Sequence, residues 1–119
     1  MDKKAEIDRG RRYDDWMDFF RLEGSVVMRL TRAAAIEVAA RAASRNRVIS
    51  RVEGGVWLDP YFESRGDCIW DGIDPPTSVE AAEENNVAAQ LFIRDVYADV
   101  FILTAPPLSG SESEKGRSK

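Results

Sequence analysis

Residues 53–74 read EGGVWLDPYFESRGDCIWDGID, and how this stretch folds decides the fold of the chain. It holds Trp57, Trp70, Tyr61, Phe62 and the only cysteine, Cys68. Six carboxylates (Glu53, Asp59, Glu63, Asp67, Asp71, Asp74) stand against one arginine, Arg65. Carried on to Glu84, the count is nine acids to one base. Gly54-Gly55 supplies the conformational freedom of a hairpin turn. It predicts a strand Val48 to Val52 before it and a strand Val56 to Phe62 after it. Alternation then places Val56, Leu58 and Phe62 on one face and Trp57, Asp59 and Tyr61 on the other. Pro60 lacks an N–H, so the second strand lies at an edge or ends there. Gly66-Asp67 predicts another turn, with a short third strand from Cys68 to Asp71. Gly72 to Ser78, with Pro75-Pro76, reads as a rigid loop.

Working outward, Thr31 is a suitable N-cap for an alanine-rich helix over Arg32 to Arg45. Its stripe runs through Ala35, Ile36, Ala39, Ala40 and Ala43, beside Val38 and Ala42. Asn46 suits a left-handed C-cap. Downstream, Thr77 and Glu80 fit a capping box opening a helix from about Ser78 to Ala98. That helix buries Ala88, Leu91, Phe92 and Val96, helped by Val87 and Ile93. Glu80, Glu83 and Glu84 lie in its first turns, where the helix dipole favours acids. Val100 to Ala105 is apolar on both faces and reads as a central strand. The expected fold is α+β: a four-stranded, mainly antiparallel sheet with two helices packed on one face, in the order α-β-β-β-α-β. The other face is left open, and Trp57, Asp59 and Tyr61 point from it.

The domain is expected over residues 28–108. Residues 109–119 are polar and read as a disordered tail. Residues 1–27 carry seven acids and six bases without a long apolar period. They read as an N-terminal extension holding at most one short helix, Asp14 to Leu22. Two readings stand: a weakly docked extension, or a native start at Met28. In the second, Glu23-Gly24 would be encoded by a purine-rich ribosome-binding element.

Composition excludes much. The chain has 119 residues, a net charge of −4 and no histidine. An acidic balance argues against nucleic-acid and membrane-surface binding, which use basic patches. One cysteine rules out an internal disulfide, and without histidine its activation as a nucleophile is hard. The D-x-D-x-D-G calcium pattern is absent. No metal, cofactor or catalytic residue is expected, and the chain reads as a non-enzyme. The charged N-terminus lacks the apolar core of a secretory signal, which places the protein in the cytoplasm. Carboxylates interleaved with aromatics form a surface for a cationic partner that also offers flat groups to stack on. The candidate binding residues are Trp57, Asp59, Tyr61, Asp67, Trp70, Asp71, Asp74, Glu83 and Glu84.

A resemblance sharpens this. Met28, Leu30, the run Ala34 to Val38, Ala42-Ala43, Gly54-Gly55, Trp57-Leu58, Pro60, Phe62, Trp70, Pro75, Glu84-Asn85-Asn86, Ile93, Asp95, Phe101-Ile102 and Thr104 together resemble the immunity proteins of the anticodon-cutting tRNase colicin family (colicin E-five). The resemblance implies an immunity protein that binds a cognate tRNase toxin domain and blocks its active site. The toxin would belong to a bacteriocin or a contact-dependent inhibition system. It implies an acidic, partly RNA-like surface in which carboxylates replace phosphates and aromatics replace bases. Positions 56, 59, 61 and 71 to 74 depart from the family pattern, which points to a different cognate toxin. The other class of function open to this surface is a non-catalytic regulatory module for another basic partner, such as a nucleic-acid-mimic inhibitor.

Overall fold

The computed structural model describes residues 7–110. Helix α1 is Trp16–Arg21 and α2 is Arg32–Ala42, extended by a 3-10 turn at Ala43–Arg45. Strand β1 is Arg51–Trp57, β2 is Phe62–Asp71, α3 is Val79–Asp95 and β3 is Val100–Thr104. The strands form one antiparallel sheet in the order β2-β1-β3. The class is α+β as expected, but the sheet has three strands rather than four.

The missing strand traces to the glycines. Gly54-Gly55 makes no turn; both residues lie inside β1, and neither has a positive φ. Their lack of a side chain serves close approach instead. A Cβ on Gly54 would lie 3.0 Å from the Ala98 Cβ and 3.1 Å from the Cys68 Cβ. One on Gly55 would lie 2.3 Å from the Glu63 carbonyl and 2.7 Å from the Phe62 ring. The chain reverses later, between Trp57 and Phe62. There Asp59 takes φ 32, the Asp59–Pro60 peptide is cis, and the Leu58 N–H donates to the Tyr61 carbonyl at 2.7 Å. Leu58 is therefore a turn residue, 53% exposed, and does not face the core. Gly66-Asp67 is not a turn either. The β1–β2 register jumps from Glu53↔Ile69 to Gly55↔Ser64, so Arg65 to Cys68 bulge out of one continuous β2.

Val48 to Ser50 run beside the end of β3, with Val48 N–H on the Pro106 carbonyl and Ser50 N–H on the Thr104 carbonyl, and β1 begins only at Arg51. β3 is not central. It pairs with β1 on one side, and its outer edge is covered by irregular chain. Val26 N–H donates to Leu103, Leu30 and Phe101 exchange two backbone bonds, and the Ser25 hydroxyl accepts from Ala105 N–H. That cover explains why an end strand is apolar throughout.

Helix α2 starts as expected: the Thr31 hydroxyl accepts from Ala34 N–H at 3.3 Å, and Asn46 takes φ 68. It buries Ala34, Ala35, Val38, Ala39 and Ala42, while Ala40 is exposed. Helix α3 is capped by Ser78, whose hydroxyl accepts from Ala81 N–H at 3.1 Å, so the Thr77 capping box does not form. α3 stops at Asp95 and buries Ala82, Asn86, Ala89 and Ile93. The expected stripe was right at its C-terminal end, where Ile93 is buried and Phe92 and Val96 pack on the core, and wrong before it, where Ala88, Val87 and Leu91 are exposed. Small residues on both helices allow close packing, and they carry too little hydropathy to announce which face is inward.

Residues 7–27 enter the same core. Ile7, Tyr13, Phe19, Leu22 and Val27 are buried with Met28, Leu30, Val38, Val52, Ile93, Phe101 and Leu103. Tyr13 pairs with the backbone of Arg29 and Thr31, which threads the N-terminal segment beside residue 30. At the other end Leu108, the last residue of the expected domain, is buried and bonds to the Asn46 and Thr77 backbones. Residues 1–6 and 111–119 lie outside the described residues. No helix among the described residues is long and apolar enough to cross a membrane.

Candidate binding surface

The β1–β2 hairpin distributes the candidate residues along its length. Arg51 faces Asp71 at its foot, and Trp57 faces Phe62 beside its tip. Six residue steps of β1 separate these pairs, roughly 20 Å. Trp57, Asp59 and Tyr61 therefore group at the tip, Asp67 on the bulge, and Trp70, Asp71 and Asp74 at the foot, with Glu83 and Glu84 on the following helix. The nine residues do not form one compact patch; the exposed acids among them are spread from the hairpin tip to its foot and on to α3.

Their environments differ. The register puts Val52, Trp70 and Leu103 opposite one another on the face that packs on the helices. Trp70 is half-buried there and stacks on Phe92 at 6.5 Å. By alternation Trp57 lies on the opposite face with Glu53 and Arg51, as its parity predicted. That face is not bare: the Arg12 guanidinium lies 5.5 Å over the Trp57 ring, and Trp57 is half-buried. Tyr61 is 71% exposed, and Asp59, Asp67, Asp74, Glu83 and Glu84 are exposed. Among the described residues none of these five carboxylates forms an ion pair. Asp71 does, with Arg51 at 2.8 Å, and that hydrogen bond holds its carboxyl below the ordinary range. Asp71 is thus a partly neutralised acid, unlike its neighbours.

The residue that sequence reasoning missed is Tyr97. Its side chain is 97% exposed, yet its backbone is held from several sides. The Arg32 guanidinium donates to the carbonyls of Ile93, Val96 and Ala98. The Cys68 thiol donates to the Tyr97 carbonyl at 3.3 Å. Next to it, Asp99 N–H donates to Gly55, and the Asp99 carboxylate accepts from Trp57 N–H at 2.9 Å. Two shallow clefts flank Tyr97. One, of about 220 Å³, is lined by Arg65, Asp67 and Cys68; the other, of about 370 Å³, by Arg32, Ala98 and Asp99; Val56 borders both. An exposed phenol on a loop pinned through its backbone, with Asp67 and Asp99 lining the clefts beside it, is open to a partner. Nothing local in V-Y-A-D marks it, because the mounting comes from Arg32 and Cys68.

The Glu84-Asn85-Asn86 motif divides by role. Asn86 is 2% exposed; its side-chain oxygen accepts from Ile49 N–H at 2.9 Å. Asn85 donates to the Ile49 carbonyl at 2.8 Å and accepts from Ile73 N–H at 2.9 Å. The two asparagines fasten α3 to the backbone around β1 and to the loop after β2. Of the three, Glu84 is exposed, Asn85 half-buried and Asn86 buried. Gly72 is required beside them, since a Cβ there would lie 2.5 Å from the Ile49 carbonyl and 2.6 Å from the Asn85 oxygen.

Catalytic machinery is not assembled by these groups. Burial raises the Cys68 thiol above its ordinary range, with Asp67 adding to the effect, so it is the opposite of an activated nucleophile. Among the described residues no group of three or more Cys, Asp or Glu could hold a metal ion.

Residues 28–104 match the Colicin-E5 Imm protein family. The chain is also 55% identical over 106 residues to a Burkholderia pseudomallei protein named Immunity protein CdiI, covering 87% of this chain and 97% of that protein. That coverage exceeds what Met28 to Lys119 can supply, so the likeness takes in residues before Met28.

Proposed function

The chain belongs to the colicin-E5 immunity protein family, whose members are toxin-neutralising inhibitors and not enzymes, and on that premise we propose that its cognate toxin is a tRNase whose basic cleft it fills. The observation that supports this most is the set of exposed acids itself. Asp59, Asp67, Asp74, Glu83 and Glu84 are exposed without an ion pair among the described residues, and Tyr61 and Tyr97 stand out among them. A cleft built for a tRNA loop supplies cations for phosphates and flat faces for bases. Carboxylates meet the cations, and the two tyrosines take the stacking places. The inhibitor works in the cytoplasm of the cell that carries the toxin, and acts by occupying the RNA site.

The test uses the cognate toxin domain, expected to be encoded beside this gene, its cleavage of total tRNA, and its association rate with this protein. Stoichiometric inhibitor should abolish cleavage, and tRNA should compete with the inhibitor for the toxin. Association should slow markedly between 0.01 M and 0.15 M salt, as the Debye length falls from ~30 Å to ~8 Å. A toxin that binds tightly but still accepts tRNA, or an on-rate flat across that range, would refute the occupied-cleft mechanism.

A further inference from the structure

The opposite sign of charge gathers at one place on this acidic molecule. Arg9, Arg11, Arg12 and Arg29 converge where the N-terminal arm crosses the hairpin tip. Arg11 stacks over Tyr13 at 4.0 Å, Arg12 over Trp57 at 5.5 Å and Arg29 over Phe62 at 5.7 Å. Arg9, Gly10 and Arg29 line a cavity of about 340 Å³ together with Pro60, Tyr61 and Phe62. Arg29 is half-buried, and the one hydrogen bond of its side chain among the described residues runs from Nη1 to the Val27 carbonyl at 2.8 Å. Its Nε is fully buried and has no acceptor. Burial, with Arg9 adding to it, lowers its proton affinity below the ordinary value.

Nothing described neutralises this group. No carboxylate among the described residues forms an ion pair with any of the four arginines. Asp8, adjacent in sequence, turns its carboxylate to the Gly10 N–H at 2.8 Å. A partly desolvated cation beside a like charge is unfavourable until an anion joins it. Stacking on an aromatic face orients a guanidinium while leaving its in-plane N–H edge free, the edge that grips carboxylate and phosphate. We propose that the cleft between the N-terminal arm and the hairpin tip is an oxyanion site, which takes one carboxylate or phosphate group between Arg9 and Arg29 with Tyr61 at its rim. The site stands independently of the tRNase assignment. Its anion has two possible sources: a free small oxyanion, or an acidic side chain of the protein bound at the exposed acids.

The experiment follows the arginine Nε–H and Tyr61 ring signals by NMR in the full chain, during titration with inorganic phosphate and then acetate at constant ionic strength. The signals of Arg9, Arg29 and Tyr61 should move together and saturate at millimolar anion, while those of Arg51 and Arg94, already paired with carboxylates, stay still. Arg9→Gln, on an exposed side chain that leaves the core untouched, should weaken phosphate binding at least about fivefold. Movement that never saturates, or saturation unchanged by Arg9→Gln, overturns the site. A second arm measures the neighbouring toxin domain. If a toxin carboxylate is the source, Arg9→Gln weakens toxin binding about tenfold and saturating phosphate competes with the toxin. If the free anion is the source, Arg9→Gln leaves toxin affinity unmoved while still weakening phosphate binding. A parent protein that gives no saturable phosphate signal yet still inhibits the toxin refutes the anion site alone, so the failure of one proposal does not mimic the failure of the other.

Discussion

Replacing Tyr97 by alanine should separate binding from folding. The side chain is 97% exposed and buries almost nothing in the free protein. The bonds that hold its loop come from Arg32, Cys68 and Asp99 and go to or from backbone atoms, so truncation leaves them in place. Free stability should therefore change by no more than about 0.5 kcal/mol. In a complex the ring would be enclosed. An aromatic side chain covers about 150–250 Å², worth roughly 4–6 kcal/mol of transfer at about 25 cal/mol per Å². Ordering the free side chain takes back about 0.5–1.5 kcal/mol. Alanine retains part of the contact, so the expected loss is about 2–4 kcal/mol, the range of an interface anchor. That raises the Kd about 30- to 1,000-fold. The assay pairs calorimetric titration against the neighbouring toxin domain with urea unfolding of the free protein. Tyr97→Phe should keep most of the affinity. If Tyr97→Ala binds within about threefold of the parent, the exposed phenol lies outside the interface. If it instead unfolds more easily by over about 1.4 kcal/mol, the pinned-loop geometry is wrong.

Further expectations concern other residues. Phe19→Ala, at a site 2% exposed and edge-on to Phe20 at 5.3 Å, should cost about 3–5 kcal/mol by urea unfolding. A loss under about 1 kcal/mol would mean that the segment before Met28 adds little to the core. Asn86→Ala strands the Ile49 N–H and should lower stability by about 1–3 kcal/mol, with toxin affinity of the folded fraction unchanged. Asp59→Asn and Asp67→Asn should each slow toxin association more than Asp71→Asn does, since Arg51 already screens Asp71; stopped-flow rates at low salt that rank Asp71 first would reverse the assignment of unpaired acids. Cys68 has its thiol pKa raised by burial, so the folded state holds that proton more tightly than the unfolded one. Its contribution is complete below the unfolded thiol pKa and fades as pH climbs through the folded value. Stability should fall on the alkaline side in the parent, and less in Cys68→Ala; equal slopes in the two proteins would contradict the shift.

Short-range chemistry was legible in the sequence. The Thr31 cap, the α2 helix and the left-handed Asn46 each depend on a side chain and its immediate backbone, so a few residues suffice to specify them. The acidic and aromatic character of residues 53–74 was equally legible, as was the resemblance to the colicin-E5 immunity family, because composition and motif need no coordinates. What only the tertiary structure decided involves partners distant in sequence. Gly54-Gly55 could not be assigned from sequence, since the absence of a Cβ serves a turn and a close approach equally well. The approach of Ala98 and of the Phe62 ring selected the latter. The inward face of the first half of α3 was hidden because it is built from alanine and a buried asparagine, whose partners lie on the chain around Ile49, whereas Phe92, Ile93 and Val96 announced the second half. The segment before Met28 looked peripheral by its charges, yet Tyr13 and Phe19 are enclosed by residues that follow it. Tyr97 reads in sequence as one more helix-end aromatic. Its exposure and its rigid mounting exist because Arg32 reaches carbonyls more than sixty residues away and Cys68 meets its carbonyl, and no local pattern of residues encodes that meeting.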